Sequence, residues 1–240
     1  LTVAKSFFGY DPVNDEYKVL VLCMKEKTQR RGRQVLLLSS QHQVFTLGAK
    51  KWENIKYTIP HRPLSNSVCI DGVLYYVAKT GAELSQLSLM RFDLGSNGLD
   101  LFTSLSADMD ARRLDGSSTL LISYEGRVAL PIKISTYEFE LWVMDQHTKE
   151  DGWLKTSFDI EHWKSSLPLE YLHIKGTTHT GEFILAPRYY SDDFNVIHYN
   201  PDTDSFRSTK VEVYEDHAFK RRCTRALVFS DYVESVRFLW

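Results

Sequence analysis

The histidines are the residues of this 240-residue sequence best suited to chemistry, because imidazole can act as a general base or as a metal ligand. His173 and His179 stand close together around a glycine-containing segment and could supply two ligands of a metal site. However, the sequence contains no His-Glu-x-x-His motif, which would place two imidazoles on one helical face beside a carboxylate. Ordinary strand and turn positions are therefore the favoured interpretation. The eight histidines are His42, His61, His147, His162, His173, His179, His198 and His217.

The other candidate groups also give no catalytic pattern. Cys23, Cys69 and Cys223 form no Cys-x-x-Cys pair, so they indicate reduced thiols and neither a zinc site nor a disulfide framework. No Gly-x-Ser-x-Gly nucleophile elbow is present. Asp202-Thr203-Asp204 resembles part of a calcium loop but lacks the spaced oxygen ligands and the final glutamate. We therefore predict no catalytic residue, no metal and no cofactor, and we interpret these acidic residues as turn formers.

Composition excludes two further classes of function. The net charge of -2 argues against a general nucleic-acid-binding protein, which needs a basic surplus to displace phosphate counterions. The sequence has no run of about 18 apolar residues, so no membrane span is predicted. The aromatic content of 13% favours strands over helices.

Two kinds of hairpin signal alternate along the chain. The first is a tight turn that ends in glycine between apolar runs, at Gly72, Gly126 and Gly181, with a spacing of 54 and then 55 residues. The second is a pair of aromatic segments on either side of a polar turn. Its aromatic residues are Phe45 and Trp52, Phe92 and Phe102, Trp142 and Trp153, and Tyr199 and Phe206, which we expect to pack between sheets.

Two hairpins in every 50 residues or so predict an all-β fold, a kelch-like β-propeller of about four four-stranded antiparallel blades with part of another. A β-sandwich is the alternative, but it does not explain the repeat. The whole chain, 1–240, is interpreted as one domain. The predicted blades are 6–57, 67–105, 117–158 and 171–213, with a partial blade at 223–240.

Four segments carry a resemblance to a known family: Phe8–Leu20, Ser67–Tyr76, Glu140–Asp145 with Trp153, and Tyr199–Pro201. Their order and spacing resemble the F-box-associated domain of the large plant F-box family. The resemblance implies a non-catalytic domain that recruits a target protein to an SCF-type E3 ubiquitin ligase. It also implies that a Skp-type adaptor and a cullin are reached only through an F-box.

In this sequence no F-box helices precede Leu1, and we expect the strands that would complete the ring to be missing as well. We therefore expect an incomplete ring. The resemblance and the free thiols together imply a location in the cytoplasm, the nucleus or both.

The order of the strands within each blade predicts which face of the propeller binds a partner. In an up-and-down blade of four strands, connections from strand two to strand three lie on the same face as the connections between blades. Both kinds of connection are predicted to be long in this sequence. Those between strands two and three are Lys25–Arg33, Lys79–Gln86, Lys133–Glu138 and Pro187–Asp193.

Loops on a rigid scaffold make a disproportionate share of binding contacts, and Arg, Trp and Tyr dominate binding hot spots. The competing interpretation is that these are ordinary variable surface loops. The residues predicted to bind protein on this face are Arg30, Arg31, Arg112, Arg113, Trp163, Arg188, Tyr189 and Tyr190.

Two other functions remain open at this point. A propeller enzyme or sugar-binding protein of the galactose-oxidase type would need Tyr, His and Cys ligands or clustered carboxylates that converge. A kelch scaffold unrelated to ubiquitin would share the fold but not the F-box.

Overall fold

The computed structural model describes most of the chain as two compact units, which are considered separately. Unit 1 reaches Leu121, and unit 2 begins at Ile122. Side chains are described except at 2–4, 26–28 and 35–40. The described residues are 2–28, 35–57, 59–81, 84–105, 109, 121–145, 152–167, 172–191, 193–211, 226 and 228.

Each unit contains two four-stranded antiparallel sheets, and in every sheet the strands follow chain order. Because no described strand crosses from one sheet to another, the connections are those of propeller blades and not of a Greek-key sandwich. The predicted all-β fold of four-stranded antiparallel blades is therefore confirmed. In unit 1 the strands are β1 (Thr2–Asp11), β2 (Glu16–Thr28), β3 (Val35–Thr46), β4 (Lys51–Ile55), β5 (Arg62–Ile70), β6 (Val73–Thr80), β7 (Gln86–Asp93) and β8 (Gly98–Ser104).

In unit 2 a short 3-10 helix (Glu161–Trp163) connects the two sheets. The first strand of each sheet contacts the first strand of its neighbour, β1 beside β5 in unit 1 and β9 beside β13 in unit 2. The strands of unit 2 are β9 (Ile122–Tyr124), β10 (Arg127–Lys133), β11 (Glu138–Met144), β12 (Trp153–Asp159), β13 (Leu172–Thr177), β14 (Phe183–Pro187), β15 (Asn195–Asn200) and β16 (Ser205–Lys210).

The glycine hairpins have the geometry that the sequence predicts. Asp71 and Gly72 have φ values of 48° and 78°, and Glu125 and Gly126 have 50° and 70°. Two successive positive φ values define the type I′ turn, whose twist matches that of the flanking strands. Gly181 has φ 84° in a longer turn that the Thr178 N–H closes on the carbonyl of Glu182 at 2.9 Å.

Four other hairpins have a four-residue turn whose last residue has a positive φ although it is not glycine. Their last turn residues, Asp15, Lys50, Asn97 and Asp204, all have φ between 46° and 56°. In three of them an Asp or Asn just before the turn accepts backbone N–H groups with its side-chain oxygen. The bonds are Val13 N–H to Asp11 Oδ1 (3.0 Å), Ser96 N–H to Asp93 Oδ1 (2.7 Å) and Asp202 N–H to Asn200 Oδ1 (2.9 Å). Asp11 therefore stabilises the β1–β2 turn through its side chain.

The core of unit 1 lies between its two sheets. Phe7 packs on Tyr76 with ring centroids 4.9 Å apart, and Phe92, as predicted, is fully buried between the sheets. Gly9 lies at a close approach of the two sheets: a Cβ there would be 2.8 Å from Leu94 Cδ1 and 3.2 Å from Leu74 Cδ2. Glycine is thus required at this position by packing and not by its backbone angles.

Unit 1 also contains a buried cation near that contact. The Lys18 side chain donates to the Leu94 carbonyl and lies 3.6 Å from Asp11 Oδ2, and both side chains are almost inaccessible to solvent. Burial raises the pKa of Asp11, but hydrogen bonds from Asn14 and the charge of Lys18 outweigh it, so the net pKa is lowered. The paired charges join β1 and β2 of the first sheet to the β7–β8 turn of the second.

An aromatic stack joins the two sheets of unit 2. The Phe158 ring lies 5.4 Å from Phe139 in its own sheet, and 4.8 Å from Phe183 and 5.7 Å from Tyr199 in the next sheet. The predicted inter-sheet role of Tyr199 is therefore confirmed. By contrast, Trp52 was expected to pack between sheets, and this was wrong. It is 53% exposed and contacts Phe45 of its own sheet.

Some predicted connections differ from the structure. Lys133–Glu138 was interpreted as long, but only residues 134–137 join the two strands, closed by a 2.9 Å bond from the Ile134 N–H to the Glu138 carbonyl. Apart from Ala226 and Val228, the partial blade predicted at 223–240 lies outside the described residues and stays a prediction. No helix among the described ranges is long and apolar enough to cross a membrane.

Candidate functional site

The predicted binding residues fall into three groups. Arg30, Arg31, Arg112 and Arg113 lie outside the described residues, so their assignment stays a prediction. Arg188, Tyr189 and Tyr190 follow β14 directly. Trp163 ends the 3-10 helix between β12 and β13.

Arg188 and Tyr189 form a cation–aromatic pair at the end of β14, in which Arg188 is partly buried and Tyr189 is exposed. The Arg188 guanidinium lies over the Tyr189 ring, 5.6 Å from its centroid, and Tyr189 is 46% exposed. The Arg188 carbonyl accepts a hydrogen bond from the Ala226 N–H at 3.0 Å, which fixes the backbone beneath the pair. Tyr190 instead stacks on the buried Phe194 at 5.5 Å, so it supports the segment from within.

Basic residues of β10 in one sheet and of β13 in the next lie close enough to His173 to act on its charge, as Arg188 does. Leu172, at the start of β13, is paired with Pro187, and its carbonyl accepts a 2.6 Å hydrogen bond from Lys133 Nζ at the end of β10. Lys175 lies in a β-bulge of β13, where the register with β14 shifts. We call the set Lys133, His173, Lys175, Arg188 and Tyr189 the basic end of unit 2.

Burial and mutual repulsion control the charges at the basic end. Burial lowers the pKa of Lys133 to about 8, so it is still mostly protonated at neutral pH. Burial first, and then the charges of Lys133, Lys175 and Arg188, lower the pKa of His173 to about 4. His173 is therefore neutral at pH 7, whereas Lys133 keeps most of its positive charge.

Trp163 is not part of the basic end. Its indole N–H donates to Asp204 Oδ1 at 3.4 Å, and its ring lies 5.0 Å from Phe206. Asp204 is in the β15–β16 turn, whereas Arg188 and Tyr189 lie at the opposite end of these strands. The prediction of a single face that includes Trp163 is therefore wrong.

The reason is strand twist. Strand parity treats a blade as flat, but each strand turns by roughly 20 to 25° relative to its neighbour, so the fourth is rotated by about 60 to 75° from the first. The chain after β12 therefore reaches the other end of the following sheet. There Asp204 also accepts hydrogen bonds from Tyr199 Oη at 3.2 Å and from His162 Nε2.

The other titratable cluster is buried inside unit 1. The His42 ring stacks on Tyr57 at 4.2 Å and lies 5.1 Å from His61, whose Nε2 is 2.9 Å from Tyr76 Oη. His42 Nδ1 accepts the Cys23 N–H at 3.3 Å, so its proton is on Nε2, which has no hydrogen-bond partner among the described residues. Burial, followed by the charge of His61, lowers the pKa of His42 to about 4.

Neither cluster has the composition of a metal site. Within the described ranges, no group of three or more His, Cys, Asp or Glu side chains is placed to hold a metal ion. His173 lies near the start of β13 and His179 beyond its end, so these two do not form a ligand pair. What the basic end can do is attract negative charge and offer an aromatic surface.

Sequence analysis missed Lys133, His173 and Lys175 as neighbours of Arg188. Lys133 lies at the start of the connection Lys133–Glu138, which had been assigned to the same face as Pro187–Asp193. The proximity of Lys133 to Arg188 could therefore have been predicted from the order of the strands within each blade. It was overlooked because only Arg, Trp and Tyr were considered as binding residues.

The comparisons with known proteins point to one family. The sequence profile of the "F-box associated beta propeller domain" matches residues 2–233. "F-box protein At4g11590" of Arabidopsis thaliana is 63% identical over 99% of this chain and 60% of its own length. "Putative F-box protein At1g26510" is 54% identical over 88% of this chain and 52% of its own length, and "F-box protein DOR" is 31% identical over 98% and 56%, both from the same plant.

Among solved structures, TolB from Acinetobacter baumannii is similar with a TM-score of 0.41 and 9% identity, covering 86% of this chain and 44% of that one. Such a weak similarity supports no argument here. The chain spans 60% or less of the length of the three relatives named above. The profile match along almost the whole chain, together with these relatives, establishes that the chain belongs to the F-box associated β-propeller domain family.

Proposed function

We propose that this domain recruits a target protein to an SCF-type E3 ubiquitin ligase and performs no bond chemistry of its own. In this proposal a Skp-type adaptor and a cullin are contacted through an F-box and not by the 240 residues described here. The domain acts in the cytoplasm, the nucleus or both.

The observation that carries the proposal is the Arg188–Tyr189 pair on a fixed segment after β14, where the Tyr189 ring is exposed. Arg and Tyr are the residue types that contribute most binding energy at protein interfaces. Four antiparallel strands hold the segment in place, so little ordering entropy is lost on binding. Membership of a family whose named relatives are F-box proteins supports the ubiquitin part of the proposal.

A capture experiment tests the proposal. The tagged chain is expressed in plant cells with the proteasome blocked, and captured proteins are identified for the unaltered chain and for the double variant Arg188→Ala and Tyr189→Ala. Tyr190 is left intact because it packs on Phe194. We expect a specific protein to be captured by the unaltered chain and not by the variant. We also expect that protein to be ubiquitinated in cells only when the unaltered domain is joined to an F-box.

The matched control is Lys51→Ala with Trp52→Ala, which also removes one exposed cation and one exposed aromatic ring, but from unit 1. The control should retain the captured protein. If both double variants capture the same proteins as the unaltered chain, the basic end does not recruit the target. If the captured protein is never ubiquitinated, the ligase role is wrong.

A further inference from the structure

The strand β12 forms the outer edge of its sheet in unit 2. The sheet has the order β12-β11-β10-β9, so among the described strands only β11 pairs with β12. All 7 residues of Trp153–Asp159 pair with β11, and no register shift interrupts the pairing. An edge strand of this kind presents a row of unpaired backbone N–H and C=O groups to any further strand.

A hydrogen bond in the neighbouring hairpin shows which backbone groups of β12 point outward. The Glu138 carbonyl accepts the Ile134 N–H at 2.9 Å, so the backbone groups of Glu138 point towards β10. Asp159 is the partner of Glu138 in β12 and therefore makes no ladder bonds with it. Because the direction alternates along a strand, the N–H and C=O groups of Lys155, Ser157 and Asp159 all point away from β11.

The charges of this edge are complementary to those of a second copy of the same edge. A two-fold axis at Ser157 places Lys155 opposite Asp159 of the second copy, and the symmetry repeats this pair on the other side of the axis. Residues that face each other in this way exchange two backbone hydrogen bonds. Lys155 already bonds to Glu140 at 2.6 Å, but an ammonium group has three donors and can contact a second carboxylate.

The other side of β12 gains apolar contacts in the same register. Thr156 lies opposite Phe158 of the second copy, and pairs of a β-branched and an aromatic side chain stabilise neighbouring antiparallel strands. Leu154, which is 54% exposed, lies diagonally from the same ring and within its reach. Pairing through β12 therefore covers an exposed leucine as well as joining opposite charges.

The outer strands of the other three sheets are less suited to such pairing. The register of β8 shifts against β7, and bulges disturb the pairing of an edge. The strand β16 carries Arg207 and Lys210 but no carboxylate, so two copies of it would repel each other. In the 5-residue strand β4, Lys51 and Glu53 already bond to each other at 2.8 Å.

We propose that two copies of this chain pair through β12, antiparallel and about a two-fold axis at Ser157, so that their sheets form one continuous sheet. Residues 155–159 of each copy make a small interface, so the dissociation constant should be on the order of 10 to 100 µM. The dimer is measured without a target protein, and its outcome is therefore independent of the proposed recruitment.

Charge variants test the register directly. Sedimentation velocity of the purified 240-residue chain, at concentrations on both sides of the expected constant, measures the dimer. Lys155→Asp sets two carboxylates against each other and Asp159→Lys sets two ammonium groups against each other, so each variant alone should dimerise about tenfold more weakly. An equimolar mixture of the two variants should regain the affinity of the unaltered chain, because both pairs of the mixed dimer then join opposite charges.

A proline variant tests the backbone pairing. Ser157→Pro removes the N–H on the axis, and proline is tolerated in an edge strand where the N–H faces solvent, so the chain should fold but remain monomeric. Ser208→Pro is the matched control. The Val211 N–H donates to the Phe194 carbonyl, so the N–H of Ser208, three residues earlier in β16, also points outward. This control should dimerise like the unaltered chain.

Three results would each overturn the proposal. The first is an unaltered chain that stays monomeric throughout the concentration range. The second is a dimer that survives Ser157→Pro. The third is a mixture of the two charge variants that is no more dimeric than its components, although circular dichroism shows that both variants are folded.

Discussion

At the scale of single residues, Gly9 and His42 are constrained by their surroundings in different ways. Gly9 is required by close packing of two sheets, and His42 by burial of an imidazole that must remain neutral. Neither constraint is visible in the local sequence, because each depends on residues from a distant strand.

Gly9→Ala should destabilise unit 1 by about 1 to 3 kcal/mol, the usual cost of an extra methyl group in a well-packed core. The new Cβ would be 2.8 Å from Leu94 Cδ1, and both Leu94 and Leu74 are fully buried and cannot move aside freely. Urea unfolding measures the change. Gly48→Ala is the control, since a Cβ there meets nothing within 4 Å, and a loss of similar size in both variants would contradict the packing argument.

Stability should fall as the pH is lowered through the range set by His42. Its pKa is about 4 in the folded protein, below the ordinary 6.5, so the unfolded chain binds more protons between these values. The contribution is fully present above pH 6.5 and is lost as the pH falls towards 4. Between pH 7.5 and pH 5 it amounts to about 2 kcal/mol.

His42→Asn isolates this contribution, because the Asn oxygen can still accept the Cys23 N–H while no group titrates. Urea unfolding at the two pH values should show a pH dependence smaller by about 2 kcal/mol than in the unaltered chain. His61 and His173 have lowered pKa values too, so some dependence should remain. An unchanged dependence would mean that folding does not lower the pKa of His42.

At the scale of structural elements, the β15–β16 turn anchors the connection between the two sheets of unit 2. Asp204 accepts hydrogen bonds from His162 and Trp163 in that connection and from Tyr199 in its own sheet. Burial raises the pKa of Asp204, but these hydrogen bonds and the charge of His162 outweigh it, so the pKa is lowered. Trp163 therefore has a structural role that explains its position.

Asp204→Gly should release the connection without straining the turn. Asp204 has φ 46°, which glycine adopts readily, so only the acceptor oxygens are lost. Hydrogen exchange of the Trp163, Lys164, Ser166 and Leu167 amides, which bond within this segment, should become about fivefold faster. Asp204→Asn keeps an acceptor and tolerates the same φ, so it should exchange like the unaltered chain. Equal exchange in all three proteins would show that Asp204 does not hold the connection.

The sequence predicts the hairpins better than it predicts which ends of neighbouring sheets lie together. Gly72 and Gly126 indicate their type I′ turns in the sequence, because few residues other than glycine adopt a positive φ without strain. Asp15, Lys50, Asn97 and Asp204 adopt similar angles without so clear a signal. Trp163 was misplaced because strand twist accumulates across a blade, which a residue-by-residue parity argument omits.

At the scale of the whole molecule, the repeated four-stranded sheets form the scaffold, and residues that are not repeated from sheet to sheet form the candidate site. Four sheets reuse one up-and-down plan, yet only Arg188 and Tyr189 among the described candidates combine a cation, an exposed ring and converging basic neighbours. Among the predicted binding residues that the structure describes, Arg188 and Tyr189 lie together, Tyr190 packs on Phe194, and Trp163 contacts the β15–β16 turn. Their role in binding stays a prediction.

The central claim is that the target protein binds at the basic end of unit 2. The most direct measurement is hydrogen exchange of the chain alone and in complex with the captured protein. We predict slower exchange at Ile174–Gly176 and in the segment that begins at Arg188, and unchanged exchange at Glu161–Lys164 and in the β15–β16 turn. Protection confined to Glu161–Lys164 and that turn, with Arg188 and its neighbours unaffected, would contradict the claim.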